Sequence, residues 1–177
     1  MARIRTNDGL LDGYPAAYFL TYTAYGTRIH GDARGTVDKW HALPGRPVLD
    51  ADALRMERER GYLRFAPMHF GPRHRRAIEL AIREAAATRD WDLKALNVRT
   101  NHVHAVVDAN ATPERVMNDF KVWATKRMRV ERISQPSRTV WSRHGSTIWL
   151  WTQRDLEAAC AYVLDGQGED LPGKPDW

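Results

Sequence analysis

Segments with a strand-like pattern alternate along this 177-residue chain with segments that have a helix-like pattern, and this order constrains the fold most. The first strand-like segment, 17–25, is rich in aromatic and β-branched residues and is followed by Gly26. Further strand-like segments follow each of two amphipathic segments. The order strand, helix, strands, helix, strands, helix predicts an α+β sandwich in which helices pack on an antiparallel sheet.

Three segments have the three- and four-residue spacing of apolar side chains that is typical of amphipathic helices. The first begins at Pro72 and repeats alanine and isoleucine at this spacing. The second begins with Thr112 as its cap and Pro113 in its first turn. The third covers 153–164 and has a start that resembles a capping box. We expect each helix to bury its apolar stripe against the sheet.

The strand-like segments between these helices are less regular. Residues 93–108 predict one or two strands. The pattern predicts a second β segment at 139–142 and 147–151. This segment is interrupted at 144–146 by either a hairpin turn or a bulge.

The length fits one domain, which we predict to span residues 1–177 with its core at about 17–168. The segment 28–71 contains three of the nine prolines and five of the twelve glycines, and only 52–61 has a helix-like pattern within it. We therefore expect an insertion after the first strand.

Composition limits the class of protein. Hydrophobic residues make up 43% of the chain and aromatic residues 10%, which excludes a wholly disordered chain. Cys160 is the single cysteine, so neither an internal disulfide nor a thiolate zinc cluster can organise the fold. No apolar run approaches the roughly 18 residues that span a bilayer, and the N-terminus lacks an apolar signal core. We expect a cytoplasmic protein with no membrane partner.

The positive charge is segregated into two central segments. Lysine and arginine number 27 against 22 acidic residues, a net charge of +5. Eight arginines lie within 55–83, and seven basic residues lie within 121–143, where Glu131 is the single acid. From Thr152 onward the acidic residues predominate. This distribution favours a polyanionic partner, and the alternative is a solvated surface that keeps the protein soluble.

Two histidines and one tyrosine are the strongest candidates for chemistry. Because side chains alternate along a strand, His102 and His104 share one face, with their Cα atoms about 7 Å apart, while Val103 faces the core. The pair could bind one metal ion or could be two solvent-facing histidines without a role. On the last helix, Tyr162 falls about 110° from the centre of the apolar stripe at 100° per residue. It could therefore extend its hydroxyl outward or simply cover the core edge.

These residues together resemble a known family. The sequence is similar to the single-tyrosine transposases of the HUH nuclease superfamily in the order of four features. These are the run 101–104, a basic helix after it, a strand pair with Trp141 and 145–146, and a helix with Tyr162 before Gln167. This family includes the IS200/IS605-type transposases and the REP-associated tyrosine transposases.

The resemblance covers about residues 18–167 and implies a ferredoxin-like HUH fold, an antiparallel sheet packed by helices. It implies that His102 and His104 bind Mg²⁺ or Mn²⁺ and that Tyr162 is the nucleophile. The implied substrate is single-stranded or hairpin-forming DNA, cleaved through a 5′-phosphotyrosine link and then rejoined. The chain would be a mobile transposase or a domesticated single-copy member acting on hairpin-forming repeats.

The third metal ligand departs from the family pattern. The family's third ligand usually lies four residues after the tyrosine, and that position is Gly166. We expect Gln167 to be the ligand, since it is an oxygen donor and the flanking glycines can absorb a one-residue shift. Asp165 is the alternative.

The basic helix offers charge for a phosphate backbone and aromatic surface for stacking. Trp123 is more consistent with a core position beside Phe120 than with stacking on bases. We predict that five basic residues contact DNA: Lys121, Lys126, Arg127, Arg129 and Arg143.

Two other functions are compatible with the sequence. Gly166 at the usual ligand position favours a non-catalytic DNA- or RNA-binding protein on the same scaffold. A metallohydrolase could instead use the histidine pair with His69 or His144, and water as the nucleophile. Relatives indicate a homodimer, although nothing in the sequence requires one or determines whether Tyr162 serves its own chain's histidines.

Overall fold

The computed structural model describes residues 14–27 and 52–166. The elements are β1 (Ala17–Ala24), α1 (Ala53–Gly61), α2 (Pro72–Thr88), β2 (Asp92–Val98), β3 (His102–Asp108), α3 (Pro113–Val130), β4 (Trp141–Leu150) and α4 (Gln153–Leu164). This order confirms the predicted α+β class. Of the predicted insertion, residues 28–51 lie outside the described residues, as does Gln167.

The four strands form one antiparallel sheet in the order β2-β3-β1-β4. Strand β3 is therefore interior, between β2 and β1. The register pairs Thr21 with His104 and Thr23 with His102 on β1 and β3. On the other side of β1, Tyr22 pairs with Gly145 of β4. Residues 93–108 thus form two strands, of the one or two that the sequence predicts.

Helices α2 and α3 cover one face of the sheet. Alternate residues of the two central strands, including Leu20, Tyr22, Val103 and Ala105, join the buried side chains of these helices in the main core. A fully buried leucine or valine side chain in this core stabilises the fold by about 1.5–3 kcal/mol. Most of the hydrophobic contribution to stability therefore lies on this side.

Helix α4 covers part of the opposite face. Ala159 and Val163 on α4 pack with Ala17, Val106 and Leu150 of the sheet in a second, smaller cluster. The helix begins with a capping box in which the Thr152 and Asp155 side chains each accept a hydrogen bond from the other's backbone N–H, as the sequence predicts.

Strand β4 resolves the choice between a hairpin turn and a bulge. It runs without a break from Trp141 to Leu150, and its register to β1 shifts between Tyr22 and Ala24. The hairpin alternative is wrong, because both halves of the segment pair with the same strand. Residues 142–144 lie opposite Thr23 alone, which leaves two extra residues in a bulge that we call the β4 bulge. The interruption therefore lies at 142–144 rather than at the predicted 144–146, because Gly145 and Ser146 pair regularly with β1.

None of the helices in the described ranges is both long and apolar enough to cross a membrane.

Candidate active site

The two histidines lie side by side on the face of β3 that α4 partly covers. Val103 and Ala105, between and after them, are buried in the main core on the other face, as the alternation predicts. The imidazole centroids of His102 and His104 are 4.6 Å apart, with the rings inclined at 77°. His104 is buried, while His102 is partly exposed. The strand therefore places the two imidazole rings next to each other, close enough for both to contact the same ion or phosphate group.

Each histidine has a hydrogen-bond partner at Nδ1. For His104 the partner is Thr21 Oγ1 at 2.8 Å, across the β1–β3 pairing. For His102 it is Asn101 Oδ1 at 2.6 Å. Because an amide oxygen only accepts, His102 Nδ1 carries the proton, and in the neutral ring the lone pair is on Nε2. Partners of this kind fix ring orientation and tautomer in histidines that bind metals.

Tyr162 lies beside the histidine pair. Its ring centroid is 5.8 Å from that of His104 and 6.0 Å from that of Phe19, which itself stacks on His104 at 5.4 Å. The Tyr162 side chain is 48% exposed, so it lies at the helix rim that the 100° spacing predicts. The Asn97 side-chain amide donates to Val163 O at 2.9 Å and ties the end of α4 to β2. The structure thus brings Tyr162, His102 and His104 together.

The segment after Tyr162 is tightly packed against it. Gly166 donates its N–H to Tyr162 O at 3.0 Å. A Cβ atom on Gly166 would lie 2.9 Å from Tyr162 Cδ2 and 2.9 Å from Tyr162 O, closer than side chains approach such atoms. Position 166 therefore has no room for a ligating side chain while the tyrosine ring keeps this position.

No set of three His, Cys, Asp or Glu side chains suited to a metal ion occurs in residues 14–27 and 52–166. Asp165 is exposed at the end of α4 and does not complete such a set with the histidine pair. His69, before α2, and His144, on the β4 bulge, are also exposed and do not complete one.

The predicted DNA-binding residues do not all occupy the same environment. A groove of about 490 Å³ lies between α3 and β4, and its lining includes three of these basic side chains: Lys121, Lys126 and Arg129. Lys126 and Arg129 are exposed, and so is Arg143 on the β4 bulge. These three are placed where a polyanion could reach them.

Arg127 and Lys121 are engaged within the protein. The Arg127 guanidinium bonds to Glu84 of α2 at 3.1 Å and to Glu131 at 2.8 Å. The Lys121 ammonium donates to the backbone oxygens of Ser142 and His144 on β4. Burial lowers the pKa of Lys121 from its ordinary value.

The fold and the geometry of the site agree with a family comparison. The model of the family described as "Transposase IS200 like" matches residues 68–163, more than half of the chain. The chain belongs to the IS200-like transposase family. The match includes the histidine pair, the basic helix α3, β4 and Tyr162.

Two solved structures are similar to this transposase. One is a REP-associated tyrosine transposase bound to a REP hairpin, with a TM-score of 0.49 and 11% identity over 92% of this chain and 70% of that chain. The other is a candidate transposase from Deinococcus radiodurans R1, with a TM-score of 0.46 and 11% identity over 88% of this chain and 92% of that chain. No curated protein matches the chain.

Three side chains of the transposase site carry no role in the sequence interpretation. Thr21 and Asn101 bond to the histidines, and Phe19 packs against both His104 and Tyr162. For Asn101 the sequence does contain a signal, since this residue directly precedes His102. Phe19 and Thr21 lie on the same face of β1 because they are two residues apart. Only the register between β1 and β3 identifies which histidine each of them contacts. Trp123 is partly buried against the main core, which agrees with the core interpretation.

Proposed function

We propose that this transposase cleaves and rejoins single-stranded, hairpin-forming DNA through a covalent link between Tyr162 and a 5′-phosphate. The observation that carries the proposal is the half-exposed Tyr162 ring beside His104, 5.8 Å away, on a helix anchored to the same sheet. A nucleophile must reach a large polymer and also lie next to groups that assist phosphoryl transfer. Tyr162 meets both conditions.

The proposed step exchanges one phosphodiester bond for another. The Tyr162 oxygen loses its proton to water and attacks the scissile phosphorus. The bond from phosphorus to the 3′ oxygen breaks, and that oxygen takes a proton and leaves as a 3′-hydroxyl. The product holds a 5′-phosphotyrosine, which a second 3′-hydroxyl can attack in the reverse sense to join two strands. A neutral tyrosine hydroxyl is a weak nucleophile, so charge on the phosphoryl group must be offset.

The histidine pair fits a divalent cation in its donor chemistry. Two imidazoles meet at 4.6 Å, and the Asn101 contact leaves the lone pair of neutral His102 on Nε2. A bound Mg²⁺ or Mn²⁺ would neutralise negative charge on the scissile phosphate. We propose His102 and His104 as two ligands and Gln167, which lies outside the described residues, as the third. Because imidazole is a softer ligand than Mg²⁺ usually takes, we expect Mn²⁺ to support activity at lower concentration.

The DNA would be bound through phosphates on the side of α3 and β4. We assign phosphate contacts first to Lys126, Arg129 and Arg143, whose side chains are exposed. Arg127 is paired with two carboxylates, so we expect its replacement by alanine to weaken binding less than Lys126→Ala.

We also propose that Tyr162 acts in the chain that carries it, because its ring contacts His104 of that chain. A mixture of Tyr162→Phe and His102→Ala proteins tests this in a homodimer. Action within one chain leaves the mixture inactive, whereas recovery of adduct formation on mixing would show that the tyrosine serves a partner.

The main test is incubation with labelled single-stranded oligonucleotides from the DNA flanking the gene, with Mg²⁺ or Mn²⁺, followed by denaturing electrophoresis. We expect a covalent adduct that is lost in Tyr162→Phe while DNA binding persists. Tyr14→Phe is the matched control, because Tyr14 is exposed and lies outside the site. His102→Ala should abolish metal-dependent cleavage, and His69→Ala should not. An adduct formed equally well by Tyr162→Phe would overturn the assignment.

A non-catalytic nucleic-acid-binding protein is the second candidate. It is favoured by the crowded Gly166 at the usual ligand position. Hairpin binding without cleavage under any divalent metal would support it. A water-using metallohydrolase would instead show turnover without an adduct, and that turnover would persist in Tyr162→Phe.

A further inference from the structure

The β4 bulge interrupts the pairing of β4 with β1 over a short stretch. Tyr22 pairs with Gly145, and Ala24 pairs with Trp141, so Thr23 alone lies opposite residues 142–144. A bulge removes regular hydrogen-bond partners from the backbone groups of the longer strand. These groups need other partners if the bulge is to keep one conformation.

Lys121 of α3 supplies partners to the bulge. Its ammonium donates to Ser142 O at 3.0 Å and to His144 O at 3.3 Å. It also lies 5.4 Å from the centre of the Tyr22 ring, within the range of a cation–π contact. An ammonium has three donors, and two of them are committed to the backbone of β4. These contacts hold the partly buried Lys121 side chain between α3 and the sheet.

Two further contacts hold the bulge from the side of β1. The Ser142 hydroxyl accepts from Thr23 Oγ1 at 3.0 Å and donates to Ala24 O at 3.1 Å. At Gly145, a Cβ atom would lie 2.6 Å from Met117 Sδ and 2.6 Å from Thr21 O. The bulge is therefore fixed at both ends, while Arg143 at its centre is exposed.

The bulge lies near the histidine pair. Thr23 is the register partner of His102 on one side, and its hydroxyl bonds to Ser142 on the other. Two strand spacings separate β4 from β3, roughly 10 Å. A DNA strand whose scissile phosphate meets the histidines and Tyr162 would therefore pass close to Arg143.

We infer that Lys121 is a positioning residue, which fixes the β4 bulge so that Arg143 binds a phosphate of the DNA strand next to the cleaved one. This inference rests on the proposed function for its substrate, and it gives Lys121 a role different from direct phosphate contact. The contact of Lys121 with two carbonyls is a property of the protein without DNA, so it can be tested with and without a substrate.

The first experiment measures hydrogen exchange in the DNA-free protein. Lys121→Met removes the donors, so we expect the amides of 142–146 to exchange at least tenfold faster. Lys126→Met is the matched control, since it removes one charge from the same helix at an exposed position. Exchange of 142–146 that is unchanged in Lys121→Met would overturn the inference, whether or not the protein binds DNA.

The second experiment is a double-mutant cycle in DNA affinity at several salt concentrations, with the labelled oligonucleotide of the cleavage assay. Each phosphate contact adds about 0.7 to the slope of log affinity against log salt for single strands. We expect Lys121→Met and Arg143→Ala each to lower the slope by about 0.7, and the double variant to lower it no further. A double loss of about 1.4 would show that Lys121 binds its own phosphate, and would overturn the inference.

A third variant keeps the inference testable if the Lys121→Met protein does not fold. Lys121→Gln keeps N–H donors without the charge, so we expect it to retain slow exchange in 142–146 and the wild-type salt slope. A slope lowered by about 0.7 with slow exchange intact would overturn the inference. If the wild-type protein binds no DNA, the proposed function fails, and the exchange experiment still decides whether Lys121 holds the bulge.

Discussion

Gly166→Ala is the change that tests most directly whether the position of Tyr162 matters for its chemistry. The added Cβ would lie 2.9 Å from both Tyr162 Cδ2 and Tyr162 O, and 3.0 Å from Tyr162 Cα. Two of these three atoms belong to the backbone of α4 and cannot move alone. Relief of the contact therefore requires displacement of the Tyr162 ring or of the last turn of the helix.

The size of the effect follows from the distances. Ordinary contacts of a Cβ atom begin near 3.4 Å, so the atoms around the added methyl group must move by at least half an ångström in total. A misplacement of about 1 Å at a reacting group costs roughly 100-fold in rate. We expect adduct formation to slow by roughly 10- to 100-fold, with a loss of about 1–3 kcal/mol in stability from overpacking.

The assay is the rate of covalent adduct formation under single-turnover conditions, measured with DNA affinity and melting temperature on the same protein. Gly61→Ala is the control, because a Cβ on Gly61 meets nothing within 4 Å. Hairpin binding should be unchanged in both variants. Wild-type adduct formation by a folded Gly166→Ala protein would refute the reasoning.

Three other predictions concern stability and binding. The Tyr22 hydroxyl is buried without a hydrogen-bond partner in the described chain, so Tyr22→Phe should leave the free energy of unfolding unchanged or raise it by up to about 1 kcal/mol in urea titrations. Thr152→Ala removes one half of the α4 capping box and should cost about 1 kcal/mol, seen as a melting temperature lower by about 2–4 °C; an unchanged melting temperature would contradict this. If the whole surface contacts about six phosphates, DNA affinity should fall roughly 10²- to 10³-fold between 50 and 200 mM salt, and salt-insensitive binding would contradict the phosphate assignments.

Local periodicity made much of the site predictable. The two-residue alternation of β3 is enough to place His102 and His104 on the face opposite Val103, because the pleat of a strand leaves no other choice. In the same way, the 100° spacing of α4 places Tyr162 at the rim of the apolar stripe. The family resemblance connected these two local results, and the sheet then placed the rings of Tyr162 and His104 5.8 Å apart.

Long-range pairing explains what the sequence could not provide. The contact of Thr21 with His104 depends on the register of β1 against β3, and the bulge depends on both halves of β4 pairing with β1. Charge alone also cannot distinguish a surface lysine from Lys121, whose partners are backbone oxygens more than twenty residues away. Arg127 is similar, because Glu84 approaches it from another helix.

We propose that Tyr162 is the residue that becomes linked to DNA, and mass spectrometry of the covalent adduct identifies the linked residue itself. Wild-type protein is incubated with a labelled single-stranded oligonucleotide and Mn²⁺, digested with trypsin, and its DNA-linked peptide is sequenced. We expect the peptide that begins at Asp155, in which Tyr162 is the single tyrosine. Linkage through a tyrosine of any other peptide, or cleavage without a linked peptide, would contradict the claim.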